Sequence, residues 1–231
     1  MTITALRLDL DGRTVIVTLR RSARARRLSL RIDPKLGPLA VLPPRISPAM
    51  AEIFVRKHQD WLSERLSAVP ERAPFVSGAL VPLLDVPHRI EAVPAARRGV
   101  WAEDGVLFVS GRPEHLARRV SAFLKDEAKR RIYPHAFELA GRIGRVPARI
   151  TVREVRSRWG SCSSRGDLSF SWRLVMAPAG VLSYVVAHEV AHLAEMNHSP
   201  AFWRVVADLA GDPAPAKQWL KANGAGLHRF G

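Results

Sequence analysis

The sequence predicts an α+β protein, rich in β structure over its first part and helical around a histidine cluster in its last third. Three observations predict this. Runs of alternating apolar and polar residues fill much of 1–110, two of them separated by Asp11-Gly12. Helical periodicity takes over after Pro113. The most apolar helical stretch carries His188-Glu189-Val190-Ala191-His192, and a further histidine, His198, follows six residues on.

The elements follow in order. Residues 3–10 and 14–20 alternate on either side of Asp11-Gly12, the dipeptide that suits a two-residue hairpin turn. A third strand runs over 27–32 with Leu28, Leu30 and Ile32 on one face, and a fourth over 39–42, ended by Pro43-Pro44. Ser47 caps a helix from Pro48 to about Ala68, with proline at its first position and Ile53, Phe54, Trp61, Leu62 and Leu66 facing a core. His58, on this helix, is expected to have a surface or packing role. Strands follow at 80–84, 89–93 and 106–109, the last after Asp104-Gly105. A helix from Pro113 to about Arg142 buries Leu116, Val120, Phe123, Leu124, Ile132, Phe137 and Leu139, and Pro134 should kink or break it near Tyr133. His135, beside that kink, is expected to be partly buried.

A strand at 149–155 leads to a hairpin around Arg165-Gly166-Asp167, and Pro178 opens the helix that carries the histidine pair. Residues 201–209 form a short helix with Phe202, Trp203, Val206 and Leu209 inward. A last helix covers 213–222, and Asn223-Gly224-Ala225-Gly226 begins a loose tail.

The 231 residues allow one domain or two small ones, and 47% apolar with 25% charged residues is an ordinary globular composition. The start of the chain lacks the apolar run of a signal peptide, and no uncharged apolar run approaches a membrane span. The single cysteine, Cys162, rules out an internal disulfide and fits a reducing compartment, with the cytoplasm as the default. The net charge of +15 suggests an anionic partner. The excess is spread along the chain, however, except for a cluster of Arg20, Arg21, Arg24, Arg26, Arg27 and Arg31, read first as a solvated face. At most weak, salt-sensitive nucleic-acid association is expected from it.

The histidine pair carries the chemistry. A helix turns about 100° per residue, so positions four apart converge on one side, where His188 and His192 can hold one zinc ion. Glu189 is one step round and can reach a metal-bound water as general base. His198 can be a third ligand only if the helix ends and the chain turns back. Asn197, tolerant of the left-handed conformation, and Ser199-Pro200 supply a stop there. Three protein ligands with an open fourth position are the pattern of a catalytic zinc. Cys162 is expected to be a small buried residue. Tyr184, one turn before His188, either packs or aids an oxyanion. Asp208 and Glu195 compete as the carboxylate that orients an imidazole.

Together with Asn197-His198-Ser199-Pro200-x-Phe202-Trp203 and Arg158-Trp159-Gly160-Ser161-Cys162-Ser163-Ser164, this helix resembles the YgjP-like metallopeptidase family, itself similar to the SprT-type zincins. The likeness covers the last third of the chain closely and the Arg-rich N-terminal region loosely. It implies a zincin-like metallopeptidase domain with His188, His192 and His198 as zinc ligands, Glu189 as catalytic acid/base and peptide or protein substrates. The spacing to the third histidine also matches the metzincins, but Glu195 stands where they have glycine. The expected division is a β-rich N-terminal region over 1–111 and the metallopeptidase domain over 112–231. The alternative is a basic, nucleic-acid-associated protein with a mainly structural zinc, which a fourth protein ligand such as Cys162 would favour. A protease acting on DNA-bound proteins combines the two.

Overall fold

The computed structural model describes residues 3–33, 36–67 and 72–231, with the expected end of the first helix at Ala68 lying outside them. The chain forms two compact units, Met1–Pro70 and Glu71–Gly231. The division therefore falls at 70/71, whereas the sequence suggested 111/112. The reason lies in the cores. Val81, Ile90, Leu107 and Val109, from the strands before residue 111, share one buried cluster with Val120, Leu124 and Phe170 beyond it. The first unit has a separate cluster around Leu8, Val17, Leu19 and Leu42.

In the first unit, β1 (Ile3–Leu10) and β2 (Arg13–Arg21) form the expected hairpin. Asp11 and Gly12 both have positive φ, 52° and 74°, as a turn matched to strand twist requires. β3 (Ser29–Asp33) and β4 (Gly37–Leu42) complete a sheet of order β1-β2-β4-β3, in which β2 and β4 are parallel. Leu28, Leu30 and Ile32 face its core, as the alternation predicts.

The helix that follows is two helices, α1 (Pro48–Lys57) and α2 (Gln59–Ser67). The break is at His58, whose Nδ1–H donates to the Phe54 carbonyl at 2.8 Å. That is the carbonyl an unbroken helix would give to the backbone N–H of His58, which bonds to Val55 instead. Ser47 caps α1 as expected, through a bond from Met50 N–H. Ile53 is 64% exposed and is no core residue; Val55 and Ala51 take that role. Arg21 is bound to the Pro43 and Pro44 carbonyls, and Arg24, Arg26 and Arg27 are exposed.

The second unit begins with β5 (Leu80–Leu83), β6 (Val86–Val93), β7 (Val100–Glu103) and β8 (Val106–Ser110), in the order β5-β6-β8-β7. Helix α3 (Leu116–Arg142) packs against β7 and β8 and continues without interruption through Pro134. Proline there removes only the bond to the carbonyl of Arg130; both residues are exposed, so water satisfies the freed group. The opposite stripe, with Val120, Leu124, Ala128, Ile132 and Ala136, is fully buried and holds the axis in place. Phe137 is 53% exposed and lies off that stripe. His135 is partly buried, as expected, with Nε2 2.8 Å from Ser183 Oγ.

β9 (Arg149–Arg153), β10 (Gly160–Cys162) and β11 (Asp167–Ser171) form a second sheet of order β10-β11-β9. α4 (Ala179–Ala191) lies against β10, β11 and α3, buried nearly all round as its apolar sequence requires. α5 (Pro200–Ala210) and α6 (Ala214–Leu227) follow. The expected loose tail is helical to Leu227 and tied down. Gly224 packs under Trp159, whose Cζ2 would lie 3.0 Å from a Cβ at that position. The Nη1 of buried Arg173 donates to the carbonyls of Leu227 (2.9 Å) and Phe230 (2.7 Å). Among the described residues no helix is long and apolar enough to cross a membrane.

Candidate metal centre

The C-terminal end of α4 presents His188 and Glu189 on its last turn, and His192 is its C-cap. The helix stops there, five residues before the stop expected at Asn197. Leu193 N–H bonds to Val190, and Ala194 and Glu195 N–H both bond to the Ala191 carbonyl, closing a turn. Asn197 is not left-handed; its Oδ1 accepts from Ser199 N–H at 3.3 Å. Ser199 then caps α5 through its hydroxyl. The chain thus reverses within a few residues and returns His198 to the helix end.

The structure brings the three predicted histidines together. One ring nitrogen from each of His188, His192 and His198 falls in a group lying within 4.8 Å of one another, and these residues could hold a metal ion. His188 Nε2 and His198 Nε2 are 3.2 Å apart. Two imidazoles on one tetrahedral ion, each at about 2.05 Å, have their nitrogens about 3.3 Å apart. The donor set suits such an ion, and the His188–His198 spacing matches it. His192 has its second nitrogen engaged: Nδ1–H donates to the Glu195 carbonyl at 3.0 Å, which leaves Nε2 free to bind. The orienting group is thus the main chain of Glu195, and neither the Glu195 nor the Asp208 carboxylate takes the part expected of it. His188 Nδ1 is buried without a hydrogen-bond partner among the described residues, and nothing in the structure accounts for it.

Phe202 supports the cluster from below. Its ring centre lies 4.9 Å from that of His188, 4.5 Å from His192 and 4.8 Å from His198, and it is fully buried. Sequence patterning marks Phe202 as inward-facing, but only the return of α5 beneath the rings shows what it supports. Burial, then the neighbouring His192, His198 and Lys217, pushes His188 down to about 4. It is therefore neutral at physiological pH, the form a metal ligand needs.

Glu189 is 6% exposed, on the side of α4 that faces β10. A Cβ at Gly160 would lie 2.5 Å from Glu189 Cγ and 2.6 Å from Oε1. Gly160 is a glycine because the carboxylate occupies the space a side chain would need. No spacing rule in the sequence carries that signal, since the two residues sit on different elements. Burial pushes the Glu189 carboxyl up to about 7, and the Arg158 guanidinium acts in the opposite direction. Two adjoining hollows open on either side of Glu189 and His188. One, about 300 Å³, is lined by Cys162, His192, Met196 and His198. The other, about 200 Å³, is lined by Trp159, Tyr184, Val185 and Leu220. Tyr184 is buried with its ring centre 5.9 Å from that of His188 and the two planes steeply inclined. Cys162 is half-buried, and burial with the Glu189 and Asp167 carboxylates pushes its thiol up to about 11, so it is no thiolate at neutral pH. It stands outside the histidine group.

A metal-binding group beside a buried carboxylate in an open cleft is the class of site that metallopeptidases use. The family model described as "YgjP-like, metallopeptidase domain" matches residues 26–223, and the chain belongs to this family. Membership makes it a metal-dependent peptidase with peptide substrates, and the α+β expectation holds. Among solved structures the chain is similar to the metallopeptidase zymogen abylysin of Pyrococcus abyssi, at 22% identity over 45% of this chain and 97% of that one, with a TM-score of 0.35. No curated protein matches it.

Proposed function

We propose that the protein is a zinc-dependent peptidase of the HExxH type, in which His188, His192 and His198 hold the ion and Glu189 is the general base. The observation that carries this reading is the convergence of the three imidazoles within 4.8 Å, one pair of them at tetrahedral spacing, next to a buried carboxylate. Zinc suits an all-imidazole set, and when bound it supplies Lewis-acid chemistry, activating water and polarising the scissile carbonyl. Glu189 takes the proton of the attacking water on a carboxylate oxygen and passes it to the leaving amine. Phe202 and the Glu195 carbonyl fix the imidazole planes, and Gly160 leaves room for the Glu189 carboxylate.

The edge strand β10 supports an extended peptide as substrate. Ser171 N–H bonds to the Trp159 carbonyl and Ser163 N–H to Asp167, so 159, 161 and 163 are the positions that face β11. The N–H and C=O groups of Gly160 and Cys162 then point to the free edge, where a peptide can add as a strand. The hollow between Trp159 and Leu220 receives an apolar side chain from it.

A mainly structural zinc needs a fourth protein ligand, and among the described residues the group has three members. Nucleic-acid association rests on the exposed arginines of the N-terminal cluster, Arg24, Arg26, Arg27 and Arg31, and is proposed only as weak and salt-sensitive. The test is cleavage of an unfolded protein. The zinc-loaded enzyme should cut it, a chelator should abolish cutting, and added zinc should restore it. Cleavage that survives with no metal bound, or zinc-loaded protein that leaves every unfolded substrate intact, would overturn the reading.

A further inference from the structure

A cavity of about 530 Å³ lies apart from the metal cleft and shares no lining residue with it. Val100 of β7 forms one wall, and Arg119, Phe123, Asp126, Lys129 and Arg130 of α3 form the other. Two features of this groove are independent of each other. The first is a sheet edge. β7 is the last strand in the order β5-β6-β8-β7, so one side of it is unpaired. Ser110 N–H donates to the Gly99 carbonyl at 2.9 Å, and Val100 stands opposite Val109. In an antiparallel pair the bonded positions alternate, so 99, 101 and 103 face β8. The N–H and C=O groups of Val100 and Ala102 therefore point outward, two donors and two acceptors in extended spacing.

The second feature is charge. Lys129 is bonded to Asp126 at 3.0 Å, and Arg130 is bonded to Glu127. Arg119 has no carboxylate partner among the described residues. Its guanidinium reaches Ser110 Oγ at 3.4 Å and lies over Gly111, where a Cβ would be 3.0 Å from Cζ. Gly111 has a φ of 89°, a conformation that favours glycine. Arg119 is thus a half-buried cation held in place beside the open edge, with the partly buried ring of Phe123 in the same groove.

We propose that β7 and α3 form a second docking groove, which takes an extended acidic segment of a substrate protein as an added strand. The segment's backbone pairs with Val100 and Ala102. Its side chains on the α3 side alternate with those facing solvent, so an apolar residue can seat on Phe123 while a carboxylate reaches Arg119. Docking here is separate from cleavage: that the docked protein is a substrate rests on the peptidase reading, whereas binding of the segment does not.

The experiment measures binding to the full-length Glu189→Gln protein, so that the probe is not cut. The probe is a fluorescently labelled peptide in which every second residue is in turn Glu and Phe, with Thr between them, so that both anchors lie on one face of the strand; a Gln-for-Glu version is its neutral control. The variants are Arg119→Gln and Ala102→Pro. Proline at 102 removes an outward N–H and leaves the bonds to β8 intact, because 102 does not face β8. The acidic peptide should bind and weaken as salt rises. Losing a charge-assisted hydrogen bond should weaken it about tenfold in Arg119→Gln and about tenfold against the neutral peptide. Ala102→Pro should weaken both peptides. No binding up to about 1 mM would overturn the proposal. So would binding indifferent to Arg119→Gln. Loss in Arg119→Gln with none in Ala102→Pro would indicate a site that reads charge alone, such as a nucleic-acid backbone, and would overturn strand addition.

Discussion

Replacing Glu189 with Gln is expected to give a folded protein that holds its metal and hardly cleaves. Gln matches Glu in size, so the space beneath Gly160 stays filled and β10 keeps its place against α4. The three imidazoles are untouched. What is lost is the group that takes a proton from water, and general-base catalysis is worth about 10²–10⁴ in rate. The change also removes a carboxyl that burial holds at about 7, so folding should suffer little. Rate and metal content are measured together on both proteins, with an unfolded protein as substrate. Equal rates from two equally loaded proteins would remove Glu189 from the mechanism.

The second large effect is expected at His198. Its side chain is exposed and comes from the turn between α4 and α5, so Ala at this position leaves the core intact. Two imidazoles remain, His188 and His192, at the end of one helix. Losing a partner outside the ligand shell already costs about 10–100-fold in metal affinity, and losing a ligand costs more than that. Competition with a chelator of known affinity reads the change. Wild-type affinity in His198→Ala would mean that the third ligand lies elsewhere.

The parts of this structure that the sequence makes legible are those with local causes. Asp11-Gly12 and Asp104-Gly105 turn where they must because both residues of each pair accept positive φ. The spacing of His188 and His192 survives in the structure because helix geometry alone decides it. What remains hidden depends on neighbours distant in sequence. Leu84 and Asp85 make a turn at positive φ with no glycine, held by Leu84 N–H on the Val175 carbonyl at 2.7 Å. α3 passes through Pro134 because of what its other face buries. α4 ends at His192 through a backbone turn that no capping residue announces, and Asn197, which looks like the stop, does another job. The glycines at 224 and 160 read as a tail and as a motif letter, yet each is set by a large side chain from another element, Trp159 and Glu189.

The central claim is a metal held by three imidazoles with one position open beside Glu189, and X-ray absorption at the zinc edge of the loaded protein tests it most directly. One ion per chain should show three nitrogens near 2.0–2.1 Å and one further light oxygen ligand, with no sulfur. A sulfur neighbour at about 2.3 Å, which only Cys162 or a methionine could supply, or a fourth protein ligand in place of the oxygen, would close the site and contradict the account.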